Sequence, residues 1–217
     1  MAPVPSPAPE PQPEPQPEHR PSNWNLPNAL TTLRIAMVPF FGWALLVDGG
    51  QSIVWRLVAY VVFVLAAITD KIDGDLARSR NLVTNFGKIA DPIADKALTG
   101  MAFVGLSLVG GLWWWVTALV LAREWGITLL RFWVIRHGVI AASSGGKLKT
   151  LLQTIALGVL ILPLRLLEGP WATVGLVLWW IGVACMAAAV VVTVVTGVDY
   201  VVKALAVRRR GRADSAA

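Results

Sequence analysis

From Trp24 to Val202 the chain is a succession of apolar stretches interrupted only by short polar breaks. A helix needs about 20 apolar residues to cross the hydrocarbon layer of a bilayer, and six stretches approach that length. They fall at about 30–48, 53–77, 92–110, 112–136, 148–167 and 171–202. A soluble helical protein of this size would show amphipathic stripes, whereas segments such as 187–198 have no strongly polar face. The expected fold is an all-α integral membrane domain over 23–207 with six transmembrane helices. No polar segment is left over that could build a second fold.

The ends differ in composition. Residues 1–22 are rich in Pro with interspersed Glu and Gln and have no apolar periodicity. Such a segment cannot bury enough surface to offset its chain entropy, so a disordered, partly polyproline spacer is expected. It lacks the apolar core of a secretory signal. Basic residues set the orientation. Arg78, Arg80 and Lys88 lie in one set of turns with Arg136, Lys147 and Lys149, and Arg208, Arg209, Arg210 and Arg212 follow in the basic tail 208–217. The opposite turns, 48–52, 110–111 and 168–170, hold no Lys or Arg, although Arg56 and Arg165 stand near the far ends of their spans. The positive-inside rule then puts both termini in the cytoplasm and the basic tail against anionic headgroups of the membrane lipids. The net charge of +6 belongs to that face. No alternation of basic and aromatic residues points to a nucleic-acid partner. Trp113, Trp114, Trp115 and Trp171 suit an interfacial belt on the far side, and the single Cys185 excludes an intrachain disulfide.

The chemistry is concentrated in 70–95. On a helix, Asp70, Asp73, Gly74, Ala77 and Arg78 share one face, and Gly87, Asp91 and Asp95 share a face of the next helix. If the two helices are neighbours, four carboxylates converge on a wall of small residues. Ionised carboxylates held close repel, so some protonate or a cation sits among them. Hard oxygen ligands suit Mg²⁺, Mn²⁺ or Ca²⁺, and two carboxylates from each helix could hold a pair of ions. Gly74 and Ala77 leave a notch for a flat or bulky ligand, and Arg78 offers a fork for phosphate oxygens. Together these features suggest a site for a nucleotide diphosphate. Asp75, off the stripe, and Lys71 and Lys88 read as solvated or membrane-edge charges.

The pattern Asp70-x-x-Asp73-Gly74-x-x-Ala77-Arg78-x8-Gly87-x-x-x-Asp91-x-x-x-Asp95 resembles the signature of the CDP-alcohol phosphotransferases at every fixed position. The resemblance spans about 24–203. It implies an integral membrane enzyme of the bacterial inner (plasma) membrane, active on its cytoplasmic side, that moves a phosphatidyl or similar group from a CDP-linked lipid to an alcohol and releases CMP. It further implies Mg²⁺ or Mn²⁺, two ions on Asp70, Asp73, Asp91 and Asp95, with Asp95 also the catalytic base, and a homodimer. Residues alone do not separate Asp95 from Asp91 in that role.

Two further polar sets gain meaning beside this motif. Asn28, Thr31 and Arg34 open the first span. One reading is a helix starting at Ala29, capped by Asn28, with Arg34 snorkelling. The other is a place near the CDP-lipid, as in similar openings of the family, since an arginine inside an apolar stretch needs an anionic partner. Thr84 is expected to cap a helix, and the resemblance adds a contact with the nucleotide phosphates, beside Gly87. Pro92 is expected near the start of the third helix or at a kink in it. Later come Arg123-Glu124, Arg131 and Gly146-Lys147-Leu148-Lys149-Thr150. Arg123 and Glu124 lie inside a span and need polar partners on other helices or a wet cavity. Together with Arg131, Lys147 and Lys149, the set resembles the branch of the family whose acceptor is sn-glycerol 3-phosphate, because an acceptor carrying phosphate needs cations. An inositol phosphate acceptor needs them too, so charge leaves both open. The donor would be CDP-diacylglycerol. A divalent-cation transporter is the rival outside this chemistry; its site would lie near the bilayer midplane rather than beside a basic turn.

Overall fold

The computed structural model describes residues 25–79, 84–134 and 144–214. The Pro-rich segment 1–22, and Arg136 and His137, lie outside the described residues. So do the side chains of Ala77, Arg78, Lys88, Arg131 and Lys147, although their backbone belongs to helices. The described residues form six helices: α1 Leu26–Leu46, α2 Ile53–Ser79, α3 Asn85–Leu108, α4 Trp114–Val134, α5 Ser144–Ile161 and α6 Trp171–Asp214. Short 3-10 turns at Val47–Gly50 and Leu164–Leu166 close the ends of α1 and α5.

Local chemistry sets the helix starts. α1 begins three residues earlier than the sequence suggests, because Asn25 is the cap: its side chain accepts the Asn28 amide at 2.9 Å. Pro27 falls in the first turn, where its missing N–H costs nothing. That frees the Asn28 side chain for other use. Thr84 caps α3 as expected, accepting the Gly87 amide at 3.0 Å. Pro92 lies within α3, beyond its first turn.

α1 packs along both α2 and α3, α5 packs along α6, and α4 leans on α6; α3 touches α4 and α5, and α2 touches α5. Phe41, Phe63, Phe103, Leu106, Leu157 and Leu160 are fully buried at the centre. The crossing of α1 and α3 is close. A Cβ on Gly105 would stand 2.6 Å from Leu45, and one on Gly42 2.7 Å from Met101, so small residues set the approach as in other membrane bundles. Large apolar side chains such as Val61, Leu65, Leu129, Ile181, Val191 and Val195 point outward. A surface of that kind suits lipid.

Four helical stretches are by themselves long and apolar enough to cross a bilayer: Leu26–Gly50, Ile53–Leu76, Leu148–Leu166 and Trp171–Ala206. α3 and α4 have the length without the composition. Asp91, Asp95 and Lys96 crowd the first half of α3, and Arg123, Glu124 and Arg131 interrupt α4. The expected six spans therefore correspond to six helices, of which four carry the spanning signature.

Candidate active site

The aspartates of α2 and α3 meet a polar stripe on α1. Asn28, Thr31 and Arg34 follow at three-residue intervals on one side of that helix and are almost wholly buried. The Arg34 guanidinium forks between the Asp70 and Asp73 carboxylates of α2, one Nη to each. Its Nε is buried with no hydrogen-bond partner among the described residues. Thr31 Oγ1 donates to Asp91 Oδ1 on α3 at 2.6 Å and also reaches the Pro27 carbonyl at 3.1 Å. The Asn28 amide and the Thr84 hydroxyl exchange hydrogen bonds at 2.9 and 3.0 Å. A Cβ on Gly87 would stand 3.0 Å from Asn28 Oδ1 and 3.8 Å from Asp91 Oδ2, so glycine there lets α3 lie against this network. One helix thus fixes the acids of two others. Gly74 follows Asp73 directly on α2.

Asp95 stands apart from this network. Its side chain has no hydrogen-bond partner among the described residues and lines a cavity of about 630 Å³ together with Asp70, Arg34, Lys71, Thr99 and Thr150. Asp70 is half exposed towards it, whereas Asp73 is buried. Lys71, expected at the membrane edge, is a wall of the same cavity. Phe63 and Leu98 form its apolar floor, and Gly146, Leu151 and Thr154 bring the start of α5 across from Asp95.

Beyond Asp95 lies a second charged group, centred on Glu124 of α4. Its Oε1 pairs with Lys149 of α5 and accepts Arg123 Nη1 at 3.0 Å. Lys149 is buried. Arg123 also donates to Thr196 of α6 at 3.0 Å and lies along an apolar groove with Ile127, Val194 and Gly197, turned away from the aspartate cavity. Lys96, next to Asp95, donates to Thr128 and sits 5.2 Å over the Trp125 ring. Glu124 acts within reach of the Asp95 charge. The sequence marks Glu124 as an acid inside a span that needs a partner, but not as the pivot between the cationic residues and the cavity. Thr99 carries no sequence signal of its own, and only the packing of α2, α3 and α5 brings it together with Lys71 and Thr150.

Comparison with known proteins identifies the family of the chain. The family model described as CDP-alcohol phosphatidyltransferase matches residues 24–195. The chain belongs to that family. It is 52% identical over 181 residues to the "Probable phosphatidylglycerophosphate synthase" of Mycobacterium tuberculosis, covering 83% of this chain and 82% of that protein. Two proteins named CDP-diacylglycerol–glycerol-3-phosphate 3-phosphatidyltransferase are each 38% identical. That of Bacillus subtilis matches over 190 residues (82% of this chain, 93% of the relative) and that of Pectobacterium atrosepticum over 180 (78% and 89%). Membership of the CDP-alcohol phosphatidyltransferase family sets aside the cation-transporter reading.

The donor set of this CDP-alcohol phosphatidyltransferase fits a divalent metal by chemistry. Asp73 lies within range of the charges of Asp70 and Asp91, and all the oxygens are hard ligands. The arrangement itself is not a metal cage: among the described residues no three His, Cys, Asp or Glu side chains stand together as one. The physical reason is on α1. Arg34 supplies the positive charge between Asp70 and Asp73, and Thr31 takes one oxygen of Asp91. Of the four carboxylates expected to converge, Asp70 and Asp73 share Arg34, Asp91 is held by Thr31, and Asp95 stands apart in the cavity.

Proposed function

We propose that this enzyme transfers the phosphatidyl group of CDP-diacylglycerol to sn-glycerol 3-phosphate, giving phosphatidylglycerophosphate and CMP. The observation that carries the reading is the cavity where the aspartate motif, the stripe on α1 and the first turns of α5 come together. The names of the relatives supply donor and acceptor. The reaction is a displacement at the phosphorus that bears diacylglycerol. The acceptor's primary hydroxyl oxygen bonds to that phosphorus, the bond to CMP breaks, and CMP leaves with the electron pair. Asp95 takes the hydroxyl proton. What supports Asp95 over Asp91 is its carboxylate, which lines the cavity with no hydrogen-bond partner among the described residues, while Asp91 already accepts from Thr31. Bound Mg²⁺ or Mn²⁺, two ions held by Asp70, Asp73, Asp91 and Asp95, would neutralise charge on the pyrophosphate and on departing CMP.

The remaining residues bind and orient. Gly74, Ala77, Arg78, Thr84 and Gly87 accept the cytidine and its phosphates. Asn28, Thr31 and Arg34 serve the CDP-lipid through the carboxylates and the helix start that they hold. Lys147 and Lys149 receive the acceptor phosphate from the α5 side, with Arg131 on α4; Arg123 helps by holding Glu124, which positions Lys149. The six helices cross a bacterial inner membrane as six spans, α3 and α4 sheltering their charges against the others. The termini and the cavity face the cytoplasm, so acyl chains stay in lipid while the polar acceptor arrives from water. The working unit is a homodimer.

The test is CMP release from CDP-diacylglycerol in detergent or proteoliposomes against a panel of alcohols, with Mg²⁺ or Mn²⁺ and with chelator. Turnover with glycerol 3-phosphate and none with an inositol phosphate is expected. The reverse result overturns the acceptor; no CMP release with any alcohol overturns the reaction.

A further inference from the structure

The two arginines that depart from the basic-side pattern, Arg56 and Arg165, meet at the end of the bundle opposite the aspartates. They line one cavity of about 350 Å³ between Gly50, the Gly110-Gly111 turn, and Leu162 and Leu166. No carboxylate among the described residues lines it, and neither arginine has an ion pair among them. Arg56 is buried and rigidly held. Its Nε donates to the Ile161 carbonyl at 2.8 Å, and its Nη2 donates to those of Leu160 and Leu162 at 2.9 and 3.3 Å. These bonds satisfy the last carbonyls of α5 and explain the residue in part. They use Nε and Nη2 only. Nη1 has no hydrogen-bond partner among the described residues and stands beside Gly50, where an added Cβ would lie 3.3 Å from it. Gly50, at φ +76°, permits that approach, since a Cβ there would also strike Val109 at 2.7 Å.

Arg165 completes the pair. Its guanidinium lies 5.0 Å over the Trp179 ring and donates to the Gly110 carbonyl at 3.4 Å, with no other hydrogen bond among the described residues. The two guanidiniums feel each other's charge. Two like charges at the mouth of one pocket, one of them desolvated, repel unless an anion is shared between them. Exposed Trp113, Trp114, Trp115 and Trp171 stand at the same end, the composition of a headgroup-level belt. A guanidinium fork suits phosphate oxygens.

We propose that this cavity binds a phosphate-bearing anion at the outer face of the membrane, shared between Arg56 Nη1 and Arg165. A lipid headgroup and free phosphate share that chemistry. The cavity's place at the level of the exposed tryptophans favours the lipid, because a phospholipid headgroup reaches it while the acyl chains stay in the bilayer. The site is separate from the transfer cavity and does not rest on the reaction assigned there.

The experiment uses the full chain in phosphatidylcholine nanodiscs, titrated with dioctanoyl phosphatidylglycerol and, in parallel, with inorganic phosphate. Bound ligand is counted by native mass spectrometry. Wild type is expected to saturate. Arg165→Gln should weaken the affinity roughly tenfold, the scale of one charge-assisted hydrogen bond, with Arg165→Lys recovering part of it and CMP release unchanged. Arg56→Gln removes the α5 cap as well and could fail to fold, so Arg165 is the deciding position. Saturation by the phospholipid alone identifies the lipid, and saturation by inorganic phosphate identifies the free ion. Equal affinity in wild type and Arg165→Gln, or saturation by neither ligand, overturns the site.

Discussion

Arg34 sets the terms on which three aspartates share a small volume. A buried carboxylate without a partner is costly, and Asp73 has one because the guanidinium reaches it from another helix. Arg34→Met should therefore destabilise the protein strongly, by about 3–5 kcal/mol as for other buried pairs that lose one member. Arg34→Lys keeps the charge but loses the fork and should fall between the two; thermal unfolding in detergent reads both. If Arg34→Met unfolds like wild type, the pairing has no structural weight. Asp95 carries the opposite expectation. With no hydrogen bond among the described residues to lose, Asp95→Asn should fold normally while CMP release disappears; retained turnover removes it as the base. The sequence places all these acids on matched faces by spacing alone, because a helical period is a local property. It leaves Asp91 and Asp95 equivalent. What separates them is a hydroxyl 60 residues away, and no spacing rule reports that contact.

At the scale of elements, the site depends on where α1 and α3 start. Asn25 rather than Asn28 caps α1, and Thr84 caps α3 while bonding back to Asn28, so the two caps lock the helices in register. Thr84→Ala removes the cap and the hydrogen bonds that Thr84 exchanges with the Asn28 amide. The expected cost is about 1 kcal/mol for the cap, with a further loss of similar size for the amide. Thr84→Ser should restore most of both. Unfolding temperature measures the stability, and the Michaelis constant for CDP-diacylglycerol reports whether Asp91 has moved; an Ala variant indistinguishable from Ser would remove the lock. Asn28 misleads as a cap because Asn and Asp suit several positions near a helix start, and only the contact with Thr84 decides between them. α3 and α4 are legible as long helices, yet their charges hide any spanning signal. The charges of α4 make sense only once Arg123 is seen bonded to Thr196 of α6 and Glu124 paired with Lys149 of α5.

For the whole molecule the decisive quantity is sidedness, since the proposed reaction draws its acceptor from the cytoplasm and the proposed anion site belongs on the outer face. α6 has 44 residues, about 66 Å at 1.5 Å each, roughly twice the hydrocarbon thickness. Its far end must therefore stand clear of the membrane on the side of the aspartates, carrying the basic residues with it. The chain makes this testable because it has a single cysteine, Cys185, whose thiol is tucked against the Leu152 carbonyl. Background labelling by a membrane-impermeant maleimide should be low. Glu168, in the exposed turn before α6, and Lys203, near its far end, lie on opposite faces of the predicted topology. In intact cells Glu168→Cys should label and Lys203→Cys should not; after permeabilisation both should. Reversed labelling would turn the molecule over, moving the cavity to the outer face and away from a cytoplasmic acceptor. Labelling of both in intact cells would mean that α6 does not cross at all.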